Sequence, residues 1–385
     1  MTLHSVVGHT ELRTALTRAH AADALPAALL LHGPRGVGKQ RAALWVAQLT
    51  VCQAPSAEGP CNTCGPCRMA LKLKHPDVHW YFPVERPKAS GDRLVEALED
   101  ARAQGLASRR EHAVRTSHYD ELRGLYLGIV QNIRRRAHMR PTMAPGQVFI
   151  IGDAELLVPQ EASPEAANAL LKLLEEPPGG ARFILTSGES GRLPATILSR
   201  TVPLHVAPLT PKQVTAFLEQ TAGRDADTAA WAAGLSQGSI GRALGFLPDG
   251  DDLGPLESLR RRALEIVEAA IASNSGPGYA ISLGFPPAGA RKLIPLFAFV
   301  EEWLRDLGAV ASGASDNLLN RDSLTRLTKM LDGTAIHPSG IALAIAEVDE
   351  AREFARGNVN PQLVVSGLVR ALRARLLSRR PLEVA

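Results

Sequence analysis

The chain has 385 residues, of which 45% are hydrophobic, 21% charged and only 4% aromatic, with 43 basic residues against 39 acidic for a net charge of +4. This length predicts two or three domains, and the composition is that of a soluble globular protein, with few of the aromatic residues that favour an all-β fold. The mild positive charge permits a nucleic-acid partner without requiring one, and the four cysteines, all between positions 52 and 67, argue against a disulfide scaffold and for a metal site.

The N-terminal segment carries His4, His9, Glu11 and Arg13 and lacks the apolar core of a secretory signal. The longest apolar runs, Leu25–Leu31 and Ile294–Val300, fall far short of the ~18–20 residues that span a bilayer. The expected location is cytoplasmic, with no membrane partner. Ala27–Leu31 reads as a buried strand, short, aliphatic and bounded by Pro and Gly. Gly33-Pro-Arg-Gly-Val-Gly-Lys39 follows it and opens a helix around Lys39–Gln48, the setting of a phosphate-binding loop. There Gly33, Gly36 and Gly38 let the backbone curl its N–H groups toward phosphate, and Lys39 adds charge at a helix N-terminus. The position that ordinarily supplies the Mg²⁺-binding hydroxyl is Gln40. Loading with ATP and an inherited loop without nucleotide both stay open.

Cys52, Cys61, Cys64 and Cys67 come next, interleaved with Pro55, Gly59, Pro60, Gly65 and Pro66 at turn positions. Cys-x2-Cys knuckles present paired thiolates, and four thiolates leave a tetrahedral Zn²⁺ no open position. The spacing therefore predicts a structural zinc module, with free or redox-active thiols as the alternative and His75 and His79 as substitute ligands. Residues 84–140 change texture: within 101–140 there are nine Arg and three acids. The stretch reads as an insertion with one or two helices. Its segment Asn132–Arg140 would offer phosphate contacts to DNA or form a solvated face.

Val148–Ile151 and Arg182–Leu185 are further predicted strands, which alternate with helices as in a parallel α/β sheet. After Val148–Ile151, the run Gly152-Asp153-Ala154-Glu155 supplies no adjacent Asp-Glu pair for Mg²⁺ and water in either register. A helix is expected over Pro164–Glu176, capped by Ser163, stopped by Pro177, and buried through Ala167, Leu170, Leu171 and Leu174. Ala207–Pro211 reads as a hinge, and Thr210 with Pro211 opens a small helical unit reaching about Leu247. From Leu256 onward the chain reads as amphipathic helix, with breaks expected near Ser275–Gly278, Pro286-Pro287 and Pro338.

Several segments carry a family resemblance. Val6–His9, Asn168–Pro178, Leu193–Thr201, Gln237–Leu244 and Asn358–Leu363 together resemble bacterial DNA polymerase III clamp-loader subunits of the AAA+ class, densely over 5–245 and thinly beyond. The resemblance implies an α/β AAA+ P-loop domain over 1–208 with the zinc module at about 50–68, a helical lid over 209–248 and an all-α collar over 249–385. It also implies gamma/tau and delta subunits as partners, and through them the sliding clamp and primer-template DNA. In this family the Arg of the Ser-Arg segment, here Arg200, is an arginine finger for a neighbour's ATP, against the plain reading of a solvated surface pair. Gln40, the broken acidic pair, and Gly241 where active subunits carry Arg point to the delta-prime branch. An active gamma/tau-like motor and a nucleotide-binding AAA+ adaptor outside replication are the rivals.

Overall fold

The computed structural model describes all residues except 1–2, 113, 115–122, 158–164, 249, 251, 333, 335 and 378–385. Two compact units emerge, Met1–Leu244 and Gly245–Ala385. In chain order the first contains α1 (Thr10–Ala21), β1 (Ala28–His32), α2 (Lys39–Val51), α3 (Gly65–Leu71), β2 (Val78–Tyr81), β3 (Val84–Glu85), α4 (Asp92–Glu111), β4 (Arg123–Gly124), α5 (Leu127–Ala137) and β5 (Val148–Ile151). It continues with α6 (Glu165–Glu175), β6 (Arg182–Ser187), α7 (Ala195–Leu198), β7 (Val202–His205), α8 (Pro211–Gln220) and α9 (Ala226–Leu235), and the division falls within α10 (Ile240–Phe246).

The main sheet has five parallel strands in the order β2-β5-β6-β1-β7. The aliphatic runs of β1 and β5 place them inside it: Leu29, Leu30, Leu31 and all of Val148–Ile151 are buried, as both faces of a parallel sheet require. Register pairs Ile150 with Ile184 and Leu30 with Leu185. The α/β P-loop architecture expected from the alternation is present. The two outer strands escaped the sequence reading because neither is a clean aliphatic run. β2 contains His79 and Trp80, and β7 contains Pro203 and is largely exposed, which suits proline only at an edge. Ser163 and Pro164, the expected start of α6, lie outside the described residues.

The stretch 84–140 holds α4, α5 and the small β3–β4 pair. Ile129, Val130 and Ile133 of α5 belong to the main core. Asn132 and Arg136 of α5 turn inward to Glu99 of α4, at 2.7 and 3.0 Å, and Glu99 also pairs with Arg102. The Arg run is thus divided: Arg136 joins a structural network while Arg134 and Arg135 face solvent. Asp77, fully buried just before β2, accepts the N–H groups of Thr142, Met143 and Ala144 at 2.6, 2.7 and 2.8 Å and so fastens the loop leading into β5. Thr210 caps α8 in a capping box with Gln213, which fixes the entry to α8–α10.

The second unit is all helical among its described residues: α11 (Pro255–Ile271), α12 (Gly276–Leu283), α13 (Ile294–Ala311), α14 (Leu324–Leu331), α15 (Pro338–Arg356) and α16 (Pro361–Leu376). Its core centres on Trp303, Phe297 and Leu304 of α13. The expected breaks near Ser275–Gly278 and Pro338 are present, between α11 and α12 and between α14 and α15, and Pro277 and Pro338 each lie in the first turn of the helix that follows, where there is no N–H bond for proline to lose.

Candidate functional site

Three loops meet at the C-terminal ends of β1, β5 and β6, where open parallel sheets bind ligands. After β1, Gly33, Gly36 and Gly38 take φ of 148°, 77° and 102°, a region closed to most side chains. Space forbids them as well: a Cβ on Gly33 would lie 2.3 Å from the Val206 carbonyl oxygen, and one on Gly36 2.2 Å from Ser239 Oγ. Lys39, buried at the start of α2, donates from Nζ to the carbonyls of Gly33 and Pro34 at 2.9 and 2.7 Å. Burial lowers its pKa, opposed by Asp153 and Glu155. His9 Nε2 lies 2.9 Å from the Val37 carbonyl, and Gly241 N–H donates to the Gly36 carbonyl at 3.1 Å. His9 of the Val6–His9 segment and Gly241 at the start of α10 are therefore each fastened to the loop.

Beyond β5 the site departs from that of a metal-dependent NTPase. Gln40 Nε2 donates to Asp153 Oδ2 at 2.9 Å. The amide stands where a hydroxyl would hold Mg²⁺, and it gives the carboxylate a donor in place of a cation. Gly152 makes the room: a Cβ there would lie 2.9 Å from Gln40 Cδ. Asp153 N–H donates to Thr186 Oγ1 at 3.1 Å. Glu155 is fully buried; its Oε1 accepts Gly188 N–H at 3.1 Å and lies 3.9 Å from the Arg35 guanidinium, while Oε2 has no hydrogen bond among the described residues. The sequence reading, intent on an adjacent Asp-Glu pair, passed over Glu155. Its signal was a carboxylate two residues past Asp153 at a strand end.

The cysteines gather around α3. Cys52 follows α2, Cys64 precedes α3, and Cys67 lies in its first turn. Their four Sγ atoms all lie within 4.8 Å of one another, close to the ~3.8 Å edges implied by a tetrahedron of ~2.3 Å Zn–S bonds. Backbone N–H groups point at sulfur, Cys61 N to Cys52 Sγ at 3.3 Å and Cys64 N to Cys61 Sγ at 3.4 Å, which suits thiolates. Burial and the neighbouring Cys64 and Cys52 push the Cys67 thiol above the ordinary range, a crowding that a divalent cation relieves. The donor set fits a metal ion such as Zn²⁺. Neither His75 nor His79 belongs to the group.

Arg200 follows α7, about a third exposed, and pairs with Glu175 at the end of α6. Its Nη1 also donates to the Thr196 carbonyl and Ser199 Oγ at 3.0 and 3.2 Å. Two of the resemblance segments, 168–178 and 193–201, therefore meet in one ion pair. Glu175 had no assigned role in the sequence reading, since nothing local to it announces a partner 25 residues away. Arg242 Nε donates to the Leu235 carbonyl at 3.1 Å.

A family model described as DNA polymerase III, delta subunit matches residues 8–210. The chain belongs to this family. The clamp-loader resemblance read from the sequence is thereby borne out. Among relatives, DNA polymerase III subunit delta' of Pseudomonas aeruginosa is 34% identical over 176 residues, covering 46% of this chain and 41% of that one. Subunit tau of Bacillus subtilis is 30% identical over 195 residues, covering 51% and 27%. The chain thus spans less than half the length of these curated relatives. Of solved structures, a gamma subunit-related protein of Thermotoga maritima superposes with a TM-score of 0.36 at 16% identity over 96% of this chain and 99% of that one. The matched span contains the phosphate loop, the four cysteines, Asp153 and Arg200; α8, α9, α10 and the second unit lie beyond it. No helix among the described residues is long and apolar enough to cross a membrane.

Proposed function

We propose that the chain is a delta-prime-like stator of the replicative clamp loader, completing a neighbouring subunit's ATP site with Arg200 while its own loop does not turn over ATP. The observation that carries this reading is the Gln40–Asp153 bond over Gly152. Amide, carboxylate and the missing side chain fit one another, so the Mg²⁺ position is occupied by protein. Gly33, Gly36, Gly38 and Lys39 retain the shape of a phosphate cradle, and ATP bound there without hydrolysis is compatible with a stator. Arg200 supplies a guanidinium to charge developing on a phosphoryl group, a contribution of about 10³–10⁵ in rate where fingers have been removed. It leaves Glu175 to do so. Zn²⁺ on Cys52, Cys61, Cys64 and Cys67 has a structural role, fixing the excursion between α2 and β2. The second unit is the collar that assembles with gamma/tau and delta subunits, and the sliding clamp and primer-template DNA are reached through that assembly.

The second reading, an active gamma/tau-like ATPase, is favoured by one feature, buried Glu155 beside the loop. ATP binding and hydrolysis measured first on the chain alone and then with the other loader subunits separate the two. Hydrolysis only in the mixture, lost with Arg200→Ala, supports the stator. Robust hydrolysis by the chain alone overturns it.

A further inference from the structure

A polar cavity of about 330 Å³ lies between the N-terminal segment, α1, α2 and the loop joining Cys61 to Cys64. None of residues 33–39 lines it. Arg13 of α1 and Arg41 of α2 project into its walls, and the Nε–H of each is buried with no hydrogen-bond acceptor among the described residues. No lining residue is acidic. Burial pushes the Arg41 guanidinium down to about 10. Buried donors of this kind are normally satisfied, and a guanidinium taken out of water normally has an anion beside it. Among the described residues no acidic side chain pairs with either arginine.

The remaining walls say what sort of anion fits. Arg13 stacks over the Trp45 ring, with its Cζ 5.3 Å from the ring centroid. Leu3, Val6 and Leu71 add apolar surface, and Leu3 N–H bonds the Leu71 carbonyl at 3.0 Å to close that side. Gln48 and Asn62 join at 2.8 Å to form a polar rim. A carboxylate has two oxygens and matches one guanidinium fork. A phosphate monoester offers three terminal oxygens, enough to accept from two forks on different helices. The volume exceeds what a phosphate alone fills and lies at the small end of ligand cavities.

We propose that this cavity binds the phosphate group of a small phosphate monoester, held between Arg13 and Arg41, at a site separate from the phosphate loop. Trp45 is the reporter, since ligand entry changes the surroundings of its indole. The experiment titrates the full zinc-loaded chain with inorganic phosphate and with AMP at constant ionic strength, following tryptophan fluorescence and heat by calorimetry. Acetate serves as the control anion. The expected result is a saturable change with phosphate or AMP but not acetate, absent in fluorescence yet retained in heat for Trp45→Phe. Arg13→Gln and Arg41→Gln each weaken the binding seen in fluorescence by about tenfold or more, and do so equally in a Lys39→Ala background that silences the phosphate loop. Arg13→Lys and Arg41→Lys keep the charge and guard against a folding artefact; they weaken binding because the fork is lost. AMP binding more tightly than phosphate identifies a ring on Trp45, and equal binding identifies free phosphate; both uphold the site. Absence of saturable heat with either probe, binding indifferent to both arginines, or loss of the fluorescence change in the Lys39→Ala background overturns it.

Discussion

Gly152→Asp tests whether the Mg²⁺ position is closed by design of the packing or merely lacks one ligand. A Cβ at 152 meets Gln40 Cδ and Nε2 at 2.9 Å and Oε1 at 3.0 Å. The new side chain therefore displaces the amide, and the 2.9 Å bond to Asp153 breaks. A hydrogen bond to a charged group contributes about 1.5–3 kcal/mol; Gln40 is half-buried, which favours the lower end. The substitution also sets a third carboxylate near Asp153 and Glu155. A loss of about 2 kcal/mol lowers the melting temperature by about 4–8 °C in a unit of this size. Gln40→Thr removes the obstruction and restores a hydroxyl. The double variant is thus expected to be more stable than the two single effects sum to, by about 1–2 kcal/mol, and to gain further stability from Mg²⁺ with nucleotide. Calorimetric melting of the four chains, with chelator and with Mg²⁺-ATP, measures this. Wild-type stability in Gly152→Asp, or additive effects with no Mg²⁺ dependence in the double variant, would falsify the reasoning.

Arg200→Ala leaves melting within about 1 kcal/mol, because its pair with Glu175 is partly exposed, and lowers ATP turnover of the assembled loader by at least about tenfold; turnover assays and melting curves read the two effects separately. One zinc per chain is expected by elemental analysis, with Cys67→Ser losing metal and raising protease sensitivity over 52–71, since Cys67 is the fully buried ligand and anchors α3. Asp77→Asn lowers stability by about 1–3 kcal/mol near neutral pH. Burial alone would raise the Asp77 pKa, but the N–H groups of Thr142, Ala144 and Met143 outweigh it and hold the value low. The advantage over Asn is complete above the unfolded carboxyl pKa of about 3.9 and fades as pH falls through the lower folded value, a trend that melting curves across acid pH follow.

Legibility followed how local the cause was. The phosphate loop, the cysteine knuckles and the Thr210 cap depend on neighbours a few residues apart, and all three were readable in the sequence. β1, β5 and β6 were readable because central parallel strands are continuous aliphatic runs. β2 and β7 were not, since an edge tolerates Pro203 in β7 and the outer β2 interrupts its run with His79. The Gln40–Gly152 fit escaped notice as a unit although both residues had been singled out as departures. Their relation spans 112 positions and depends on the absence of a side chain. Within Asn132–Arg140 the sequence does not say which arginine faces solvent, because only the placement of Glu99 on α4 decides which one turns inward.

On the proposed stator reading, the Arg200–Glu175 pair bears on how a finger waits for its target. A guanidinium aimed at a neighbour must not be locked to its own chain, and it must not wander through rotamers either. Glu175 at the end of α6 satisfies both demands if the pair is weak, and partial exposure of both side chains limits it to about 0–1 kcal/mol. Releasing Arg200 then reduces the competent population by no more than about fivefold. Glu175→Gln removes the charge while keeping an acceptor, so turnover of the assembled loader is expected to hold or rise, up to that factor, with Arg200→Ala unaffected by the added change. A fall comparable to that of Arg200→Ala itself would show that Glu175 acts within the trans site, and holding the finger in reserve would not be its role.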